Sequence, residues 1–336
     1  MPNRPRLTPA IADVRRAVRE QLEGLALTAG DLVLAACSGG ADSLALAAAL
    51  AFEAPRLGLL GGAVIVEHGL QPETKTVAVE TAAVLSELGL NPVEVVEVKV
   101  GKAGGPEAAA RDARYEALAA TAKRLGATFV LLGHTMNDQA ETVLLGLHRG
   151  SGARSLSGMA PATGIYLRPL LEISRETTEA FCSDSGLKPW HDPQNQDPTF
   201  SRVRVRRELL PAIESTLGAG MVEALGRTAE QLREDADYLE IQAAETFAAL
   251  AKVQANAIEL PADALAAAPR AVSTRVIKLA LEKFAPGAQR VHVLAVLDLA
   301  LNYHGQKPLE LRGVRVERKG QTITMVSTKP PRPGAC

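Results

Sequence analysis

The stretch Ser38-Gly39-Gly40-Ala41-Asp42-Ser43 decides the fold of the first half of the chain. Residues 31–37 before it are an apolar run typical of a buried strand, and residues 44–50 after it have the composition of a helix. Glycines let a backbone approach an anion closely, and the free N–H groups and dipole of a helix N-terminus favour negative charge. The stretch therefore predicts a phosphate-binding turn between a strand and a helix.

Asp42 is the unexpected member of this turn, because a carboxylate beside phosphates needs a cation between them. The simplest such cation is Mg²⁺ held on a polyphosphate, with Ser38 and Ser43 adding hydroxyl donors. The turn matches neither G-x-x-x-x-G-K-[ST] nor G-x-G-x-x-G, the common nucleotide signatures. The alternative interpretation is a glycine-rich connection of the kind that any α/β protein can carry.

The composition limits the class of protein. A length of 336 residues suggests two domains, and 47% hydrophobic with 3% aromatic content is typical of a helix-rich α/β protein. The net charge of −1 means that any contact to nucleic acid must come from local basic clusters. The three cysteines are odd in number and form no C-x-x-C pair, which favours a reduced, cytoplasmic setting. No apolar run is long enough to span a bilayer, so we expect no membrane association.

Four apolar strand candidates alternate with helical patterns through the first half of the chain. The predicted strands are 31–37, 62–67, 93–98 and 127–132. The predicted helices are 43–53, 73–88, 106–125 and 137–148, after a leading helix within 8–27. This alternation predicts an α/β fold with a mostly parallel sheet flanked by helices, whose ligands bind at the carboxyl ends of the strands.

The second half is organised differently. A Gly- and Pro-rich region over 150–215 carries a predicted strand near 165–168 and a helix near 174–185. Helical patterns follow, including those near 262–285 and 289–303, and the alternating tail 307–326 predicts a hairpin. We therefore predict a first domain, a second, smaller α-rich domain and a loose tail, with bounds 1–215, 216–330 and 331–336.

Two further motifs of the first domain contain polar residues. Each motif allows one functional and one purely structural interpretation. Glu67-His68-Gly69-Leu70 ends the second predicted strand, where His68 either faces a nucleotide or bonds to backbone in a turn. Arg111, Arg114 and Tyr115 share one helix face by i, i+3 and i, i+4 spacing. The two arginines either contact phosphate or lie on a solvated surface.

The segment Gly133-His134-Thr135-Met136-Asn137-Asp138-Gln139-Ala140-Glu141-Thr142 follows the fourth predicted strand. Asp138 and Glu141 are three residues apart, so they line one face of a helix that starts near 137. Two carboxylates beside a nucleotide can bind an amino group, a metal or both. The alternative is a helix whose first turn is acidic because the helix dipole favours negative charge there.

Basic residues gather after residue 148. Arg149 opens a glycine-rich loop, and the alternating arginines of 200–207 form the densest basic patch in the chain. Such a patch suits phosphate contacts at an RNA surface, although charge runs are usually solvated helix faces. The arginines of this patch are Arg202, Arg204, Arg206 and Arg207.

Taken in order, these peptides resemble the tRNA(Ile)-lysidine synthases of the PP-loop ATP pyrophosphatase superfamily, whose fold is adenine nucleotide alpha hydrolase-like and Rossmann-like. The matching peptides are S-G-G-A-D-S at 38–43, E-H-G-L at 67–70, A-R-D-A-R-Y at 110–115, G-H-T-M-N-D-Q-A-E-T at 133–142, R-G-S-G at 149–152, L-S-G-M at 156–159, R-P-L-L at 168–171 and W-H-D-P-Q-N at 190–195 with F-S-R-V-R-V-R after it. The first peptide is shared by the whole superfamily, whereas the run from 133 to 207 is more specific to the lysidine synthases.

The resemblance implies a ligase that uses ATP and Mg²⁺. ATP would adenylate the 2-carbonyl oxygen of the wobble cytidine in the CAU anticodon of tRNA(Ile). The ε-amine of L-lysine would then attack that carbon, giving lysidine, AMP and pyrophosphate. At Met136-Asn137 the sequence departs from a more acidic pair in many relatives, so no role is assigned to Asn137.

The resemblance also implies the site residues. Asp42, Asp138 and Glu141 would be catalytic, with Asp42 the metal ligand and Asp138 a candidate base for the attacking amine. The nucleotide would be bound by Ser38, Gly39, Gly40, Ala41, Asp42, Ser43, His68, Arg111, Gly133 and His134. The tRNA would be contacted by the second domain and by Arg114, Arg149, Arg202, Arg204, Arg206 and Arg207.

Two other functions fit the sequence less well. A PP-loop tRNA thiolase generally needs paired cysteines, and Cys37, Cys182 and Cys336 offer no such pair in the sequence. A regulatory nucleotide-binding module without catalysis would not require the acidic pair or the arginine run. The sequence leaves the oligomeric state open, with a homodimer as one option.

Overall fold

The computed structural model describes residues 7–67, 69, 73–98, 106–150 and 152–328. The chain divides into two compact units between Arg233 and Glu234, inside the long helix α10 (Met221–Leu250). This division falls later than the predicted boundary at 215/216, because the first turns of α10 still contact the first unit. The side chain of Arg233, for example, donates to the backbone oxygen of Met159 at 2.6 Å.

The first unit is built on a six-stranded sheet in the order β3-β2-β1-β4-β6-β5. All neighbouring strands are parallel except β5, which pairs antiparallel with β6. The strands are β1 (Leu32–Ala36), β2 (Leu60–Glu67), β3 (Val93–Glu97), β4 (Phe129–Leu132), β5 (Ala162–Thr163) and β6 (Tyr166–Leu167). The predicted α/β fold with a mostly parallel sheet is confirmed.

Helices cover both faces of this sheet. They are α1 (Pro9–Glu23), α2 (Ala41–Glu53), α3 (Glu73–Glu87), α4 (Pro106–Leu125), α5 (Met136–His148), α6 (Ala153–Leu156) and α7 (Arg175–Asp184). Because strand side chains alternate, Val33 and Ala35 face the core shared with α1, α2 and α7, whereas Leu34 faces Leu118 of α4. The carboxyl ends of β1 and β4 lead directly into α2 and α5.

The basic run after residue 200 is helical and irregular. It forms α8 (Ser201–Arg204), a π-helical turn (Val205–Leu209) and α9 (Leu210–Leu217), none of which the sequence patterns had predicted. A π turn shifts the direction of the side chains that follow it, and such turns are frequent at functional sites. The arginines of 200–207 therefore do not share one face.

The second unit has its own core and combines helices with an antiparallel sheet. Its further helices are α11 (Ala262–Ala267), α12 (Arg270–Glu282) and α13 (Arg290–Leu301). Its five strands run in the order β7-β8-β11-β10-β9 and are β7 (Lys252–Val253), β8 (Ala257–Pro261), β9 (Leu309–Leu311), β10 (Val314–Lys319) and β11 (Thr322–Ser327). The predicted hairpin is β10 paired with β11, whereas the helix predicted over 262–285 is interrupted at Ala268-Pro269. Among the described residues, no helix combines the length and apolar character that crossing a bilayer requires.

Candidate active site

The turn between β1 and α2 is closed by its own side chains. The Ser43 hydroxyl accepts from the Ser38 N–H at 3.1 Å and donates to the Gly40 oxygen at 2.9 Å, so it shapes the turn. Gly39 adopts φ +85°, and a Cβ there would lie 2.9 Å from Thr81 Oγ1. The backbone N–H of Trp190 stabilises the turn by donating to the backbone oxygen of Gly39 at 2.9 Å.

The N-terminus of α2 is arranged for an anion. Gly40 occupies the cap position and has no side chain with which to accept from the first N–H groups of the helix. Gly133, at the end of β4, brings the neighbouring strand against this helix start. A Cβ at Gly133 would lie 3.1 Å from backbone atoms of Asp42 and Ser43. The local sequence therefore produces a tight turn whose free donors face the carboxyl edge of the sheet.

Three carboxylates meet at this edge around a single guanidinium. Arg175, the first residue of α7, directs Nε to Asp42 at 3.5 Å and Nη2 to Asp138 at 3.2 Å. Its Nη1 lies 3.8 Å from Glu141. Asp42 also accepts from the hydroxyl of Thr178, one turn further along α7. The turn after β1 and the acidic pair of α5 are thus parts of one site.

A second arginine contacts both members of the acidic pair. Arg206, from the π turn, donates Nε to Glu141 at 2.7 Å, and its Nη2 lies 3.6 Å from Asp138. Glu141 is fully buried, and its other oxygen, Oε2, has no hydrogen-bond partner among the described residues. A buried carboxylate oxygen without a partner is costly, so a cationic donor from a ligand would find a prepared position.

The pKa values of the three acids shift in different directions. Burial raises the pKa of Glu141 and of Asp42, and the nearby guanidinium groups only partly offset it. Burial also acts on Asp138, but Arg175, the Thr135 N–H and other groups outweigh it and lower the pKa. Asp138 caps its own helix, since its Oδ2 accepts from the Thr135 N–H at 2.8 Å and from the Thr135 hydroxyl at 3.0 Å. Asp138 is therefore a fixed anion, while Glu141 is the easier of the two to protonate.

Beside the acidic pair, His134 is surrounded by basic groups. Burial lowers its pKa to about 4, with Asp138 opposing and Arg114, Arg168 and Arg202 adding to the shift. Its Nδ1 is shielded from solvent and has no hydrogen-bond partner among the described residues. His134 is thus a neutral imidazole with a free polar atom at the end of β4.

Tyr115 organises the arginines of this region. The guanidinium carbons of Arg111 and Arg114 lie 5.4 and 5.7 Å from its ring centroid, within cation–π range. Arg168 directs Nη2 to the Tyr115 hydroxyl at 3.5 Å, and Tyr166 packs edge-on against the ring at 4.9 Å. The face predicted from spacing therefore exists, and Arg168, the residue after β6, lies against it.

Comparison with known proteins gives the family. Residues 13–213 match the model of the PP-loop domain ATP_bind_3. A tRNA(Ile)-lysidine synthase of Leifsonia xyli subsp. xyli is 52% identical over 300 residues, covering 89% of this chain and 90% of that protein. Its counterpart from Thermobifida fusca is 52% identical over 320 residues, covering 94% and 97%. The chain belongs to the tRNA(Ile)-lysidine synthase family. The resemblance stated from the motifs is confirmed.

A solved structure of a different enzyme shares the fold of this chain. The U34-tRNA thiolase NcsA from Methanococcus maripaludis, determined with its [4Fe-4S] cluster, aligns with a TM-score of 0.55 at 20% identity. The alignment covers 67% of this chain and 80% of the thiolase, which supports the PP-loop fold alone. In the present chain Cys37 and Cys182 are buried free thiols.

The other residues predicted to bind tRNA or nucleotide differ in their exposure and contacts. Arg149 and Arg207 are exposed. Arg204 is exposed too, but its Nη1 donates to the backbone oxygens of Pro198 and Thr199 at 2.6 and 2.9 Å, so it holds its own loop. His68 lies outside the described residues.

Several site residues were not identified from the sequence. Arg175 and Thr178 contact Asp42 across more than 130 residues, a separation that local patterns do not reveal. Asn137, to which no role was assigned, accepts the Arg175 N–H at 2.9 Å and so fixes the start of α7. The available signal was indirect: Arg175 closely follows the R-P-L-L peptide and opens a predicted helix at the sheet edge.

Proposed function

We propose that this chain ligates L-lysine to the wobble cytidine of a CAU-anticodon tRNA(Ile), with cleavage of ATP to AMP and pyrophosphate. The observation that carries the proposal is the contact of one guanidinium with Asp42 of the phosphate-binding turn and with the acidic pair of α5. A nucleotide on the turn and an amine on the pair would therefore lie next to each other. The names of its relatives support this function, and we propose that the protein acts in the cytoplasm with its tRNA.

The first half-reaction joins the cytidine to AMP. The 2-carbonyl oxygen of the cytidine attacks the α-phosphorus of ATP, the α–β phosphoanhydride bond breaks, and pyrophosphate leaves. The free N–H groups at the start of α2 support binding of the phosphates. Holding both reactants at one edge of the sheet lowers the entropic part of the barrier.

Mg²⁺ fits this turn as an ion brought by ATP. The described residues form no group of three metal-ligating side chains. In nucleotide enzymes one or two carboxylates and the substrate phosphates suffice, and Asp42 offers one half-buried carboxylate. When bound, the ion would supply positive charge to the leaving pyrophosphate. Asp42 is at present hydrogen-bonded to Thr178 and Arg175, so it would exchange a partner on binding.

The second half-reaction needs a neutral amine. The ε-amine of lysine attacks C2 of the adenylated cytidine, the C2–O bond breaks, and AMP leaves with that oxygen. A lysine side chain is protonated at neutral pH, so a carboxylate must accept a proton. The raised pKa of Glu141 makes it the better acceptor, and the lowered pKa of Asp138 suits a permanent anion that holds the cation. The sequence alone named Asp138 as a candidate base and left the choice between Asp138 and Glu141 open.

The proposal is tested by its dependence on both co-substrates. The purified chain should release AMP, and more than one equivalent of pyrophosphate per enzyme, only when L-lysine and the CAU-anticodon tRNA(Ile) are both present. Equal release with a transcript in which uridine replaces the wobble cytidine would contradict the proposal. Release without lysine of AMP and pyrophosphate in equal amounts would point to a plain ATP pyrophosphatase.

The roles of the two acids are separated by Glu141→Gln. We expect this variant to release about one equivalent of pyrophosphate from adenylation, with AMP release slowed roughly 10²–10⁴-fold by loss of the proton acceptor. Rapid-quench assays of the two products measure this, with Glu172→Gln, an exposed glutamate, as control. Equal, wild-type release of both products would exclude Glu141 as the base.

A further inference from the structure

Arg175 uses three different nitrogens to reach three different acids. Nε faces Asp42 at 3.5 Å, Nη2 faces Asp138 at 3.2 Å, and Nη1 faces Glu141 at 3.8 Å. The side chain is 18% exposed, so these contacts are only weakly screened by water. Its backbone is fixed because the Arg175 N–H donates to Asn137 at 2.9 Å. The guanidinium can therefore move only on its own side-chain torsions.

These acids belong to two binding places in the proposed reaction. Asp42 lies in the phosphate-binding turn, and Asp138 with Glu141 forms the amine-binding pair. A lysine ammonium that enters the pair meets a cation already there and gains little. ATP phosphates that reach the turn offer Arg175 stronger, bidentate partners than the single contacts it now makes.

We propose that Arg175 couples the two substrate sites, so that ATP binding prepares the acidic pair for lysine. With the turn empty, the guanidinium neutralises Asp138 and Glu141 and weakens lysine binding. With phosphates on the turn, the guanidinium moves toward them and leaves the pair to the ammonium. This inference rests on the proposed function, and it makes Arg175 a positioning residue. Coupling of this kind must be reciprocal, since lysine would strengthen ATP binding by the same factor.

Arg206 provides a matched comparison within the same site. It contacts the same two acids, at 2.7 and 3.6 Å, and among the described residues it forms no ion pair with Asp42. Removing Arg206 should change lysine affinity equally with and without nucleotide. Removing Arg175 should change the ratio of the two affinities. A residue that only neutralises buried acids for folding would leave that ratio unchanged.

The experiment is calorimetric titration of L-lysine into the full chain, with and without Mg²⁺ and a non-hydrolysable ATP analogue. In the wild type we expect the analogue to tighten lysine binding at least tenfold. In Arg175→Gln the two affinities should agree within twofold, because lysine binding no longer needs the nucleotide. In Arg206→Gln the wild-type ratio should persist. Arg175→Lys, which keeps the charge but has one nitrogen for three acids, should give a smaller ratio than the wild type.

The outcomes separate this inference from the function on which it rests. A wild-type ratio near one, or an Arg175→Gln ratio equal to that of the wild type, overturns the coupling while lysine binding still supports the function. Failure of lysine to bind in either state contradicts the proposed function itself. Thermal unfolding of each variant checks that it folds. If Arg175→Gln does not fold, Arg175→Lys tests the coupling instead. A ratio of lysine affinities in Arg175→Lys equal to that of the wild type would overturn the coupling.

Discussion

Gly133 is a residue whose lack of a side chain lets two elements meet. A Cβ at this position would lie 3.1 Å from the backbone carbonyl atoms of Asp42 and from the Ser43 Cα. Backbone atoms cannot give way as the end of a flexible side chain can. The glycine therefore sets the distance between the end of β4 and the phosphate-binding turn, and with it the spacing of the two proposed substrates.

Gly133→Ala should damage both stability and the nucleotide site. The added methyl group should cost about 1–3 kcal/mol of the free energy of unfolding and weaken ATP binding, because the start of α2 must shift. Denaturant unfolding and nucleotide titration measure the two effects. The matched control is Gly152→Ala, since Gly152 has negative φ and no atom within 4 Å of the added carbon. Similar stability of the two variants would refute this account.

His134 should make the protein less stable in mild acid. The unfolded imidazole takes a proton below its usual pKa near 6.5, whereas the folded one stays neutral down to about 4. Folding stability should therefore be fully present above pH 6.5 and fall toward pH 4, by up to about 3 kcal/mol. His134→Gln should flatten this dependence of Tm on pH, and His191→Gln, an exposed histidine, should not. An unchanged slope in His134→Gln would count against the buried neutral imidazole.

Sequence reasoning was most successful for residues that act close to their own peptide. Asp138 and Glu141 share a face of α5 because three-residue spacing on a helix requires it, and they reach the site together. Arg206 was assigned to tRNA with its neighbours, yet the π turn directs it into the acidic pair. That outcome depends on how the turn packs on α5, which spacing alone does not specify.

At the scale of elements, Gln139 fastens the loop after α6 to helix α5. Its Nε2 donates to the Met159 oxygen at 2.9 Å, and its Oε1 accepts the Met159 N–H at 2.6 Å. Gly158 adopts φ +60°, and a Cβ there would lie 2.4 Å from Gln139 Oε1. One buried amide thus replaces the backbone pairing that the loop lacks.

Gln139→Leu should destabilise this loop without creating a cavity in the core. The leucine keeps the volume but leaves the Met159 N–H without an acceptor, which should cost about 1–3 kcal/mol. Hydrogen exchange should show faster exchange of the Met159 amide, while amides of β1 keep their protection. Gln194→Leu, a substitution on a surface 3₁₀ turn, is the control. Unchanged exchange at Met159 would mean that other contacts hold the loop.

The elements that sequence patterns missed share a physical cause. β8 is a five-residue strand whose pairing partner, β11, lies more than sixty residues later, so its stability comes from non-local contacts. The helix predicted over 262–285 divides at Pro269, because proline lacks the N–H that would continue the helix. The parallel sheet was easier to predict, since its strands are continuous apolar runs between long helices.

At the scale of the whole molecule, a net charge of −1 makes tRNA binding depend on local patches. Two predicted tRNA contacts, Arg149 and Arg207, are exposed, and their side chains form no hydrogen bond within the part of the chain that the structure describes. Changing both to alanine should weaken tRNA binding and reduce the slope of log K against log salt by about 1–2. Filter binding over a salt series measures this, with Arg16→Ala as control. An unchanged slope would move the tRNA interface elsewhere.

In the proposed reaction, the nucleotide and the amine meet at one edge of the sheet and together modify a cytidine. Mass spectrometry of the wobble nucleoside, after the full chain is incubated with ATP, L-lysine and CAU-anticodon tRNA(Ile), tests it most directly. We expect conversion of cytidine to lysidine, matched one to one by AMP and pyrophosphate. A wobble cytidine that stays unmodified while ATP is consumed would contradict it.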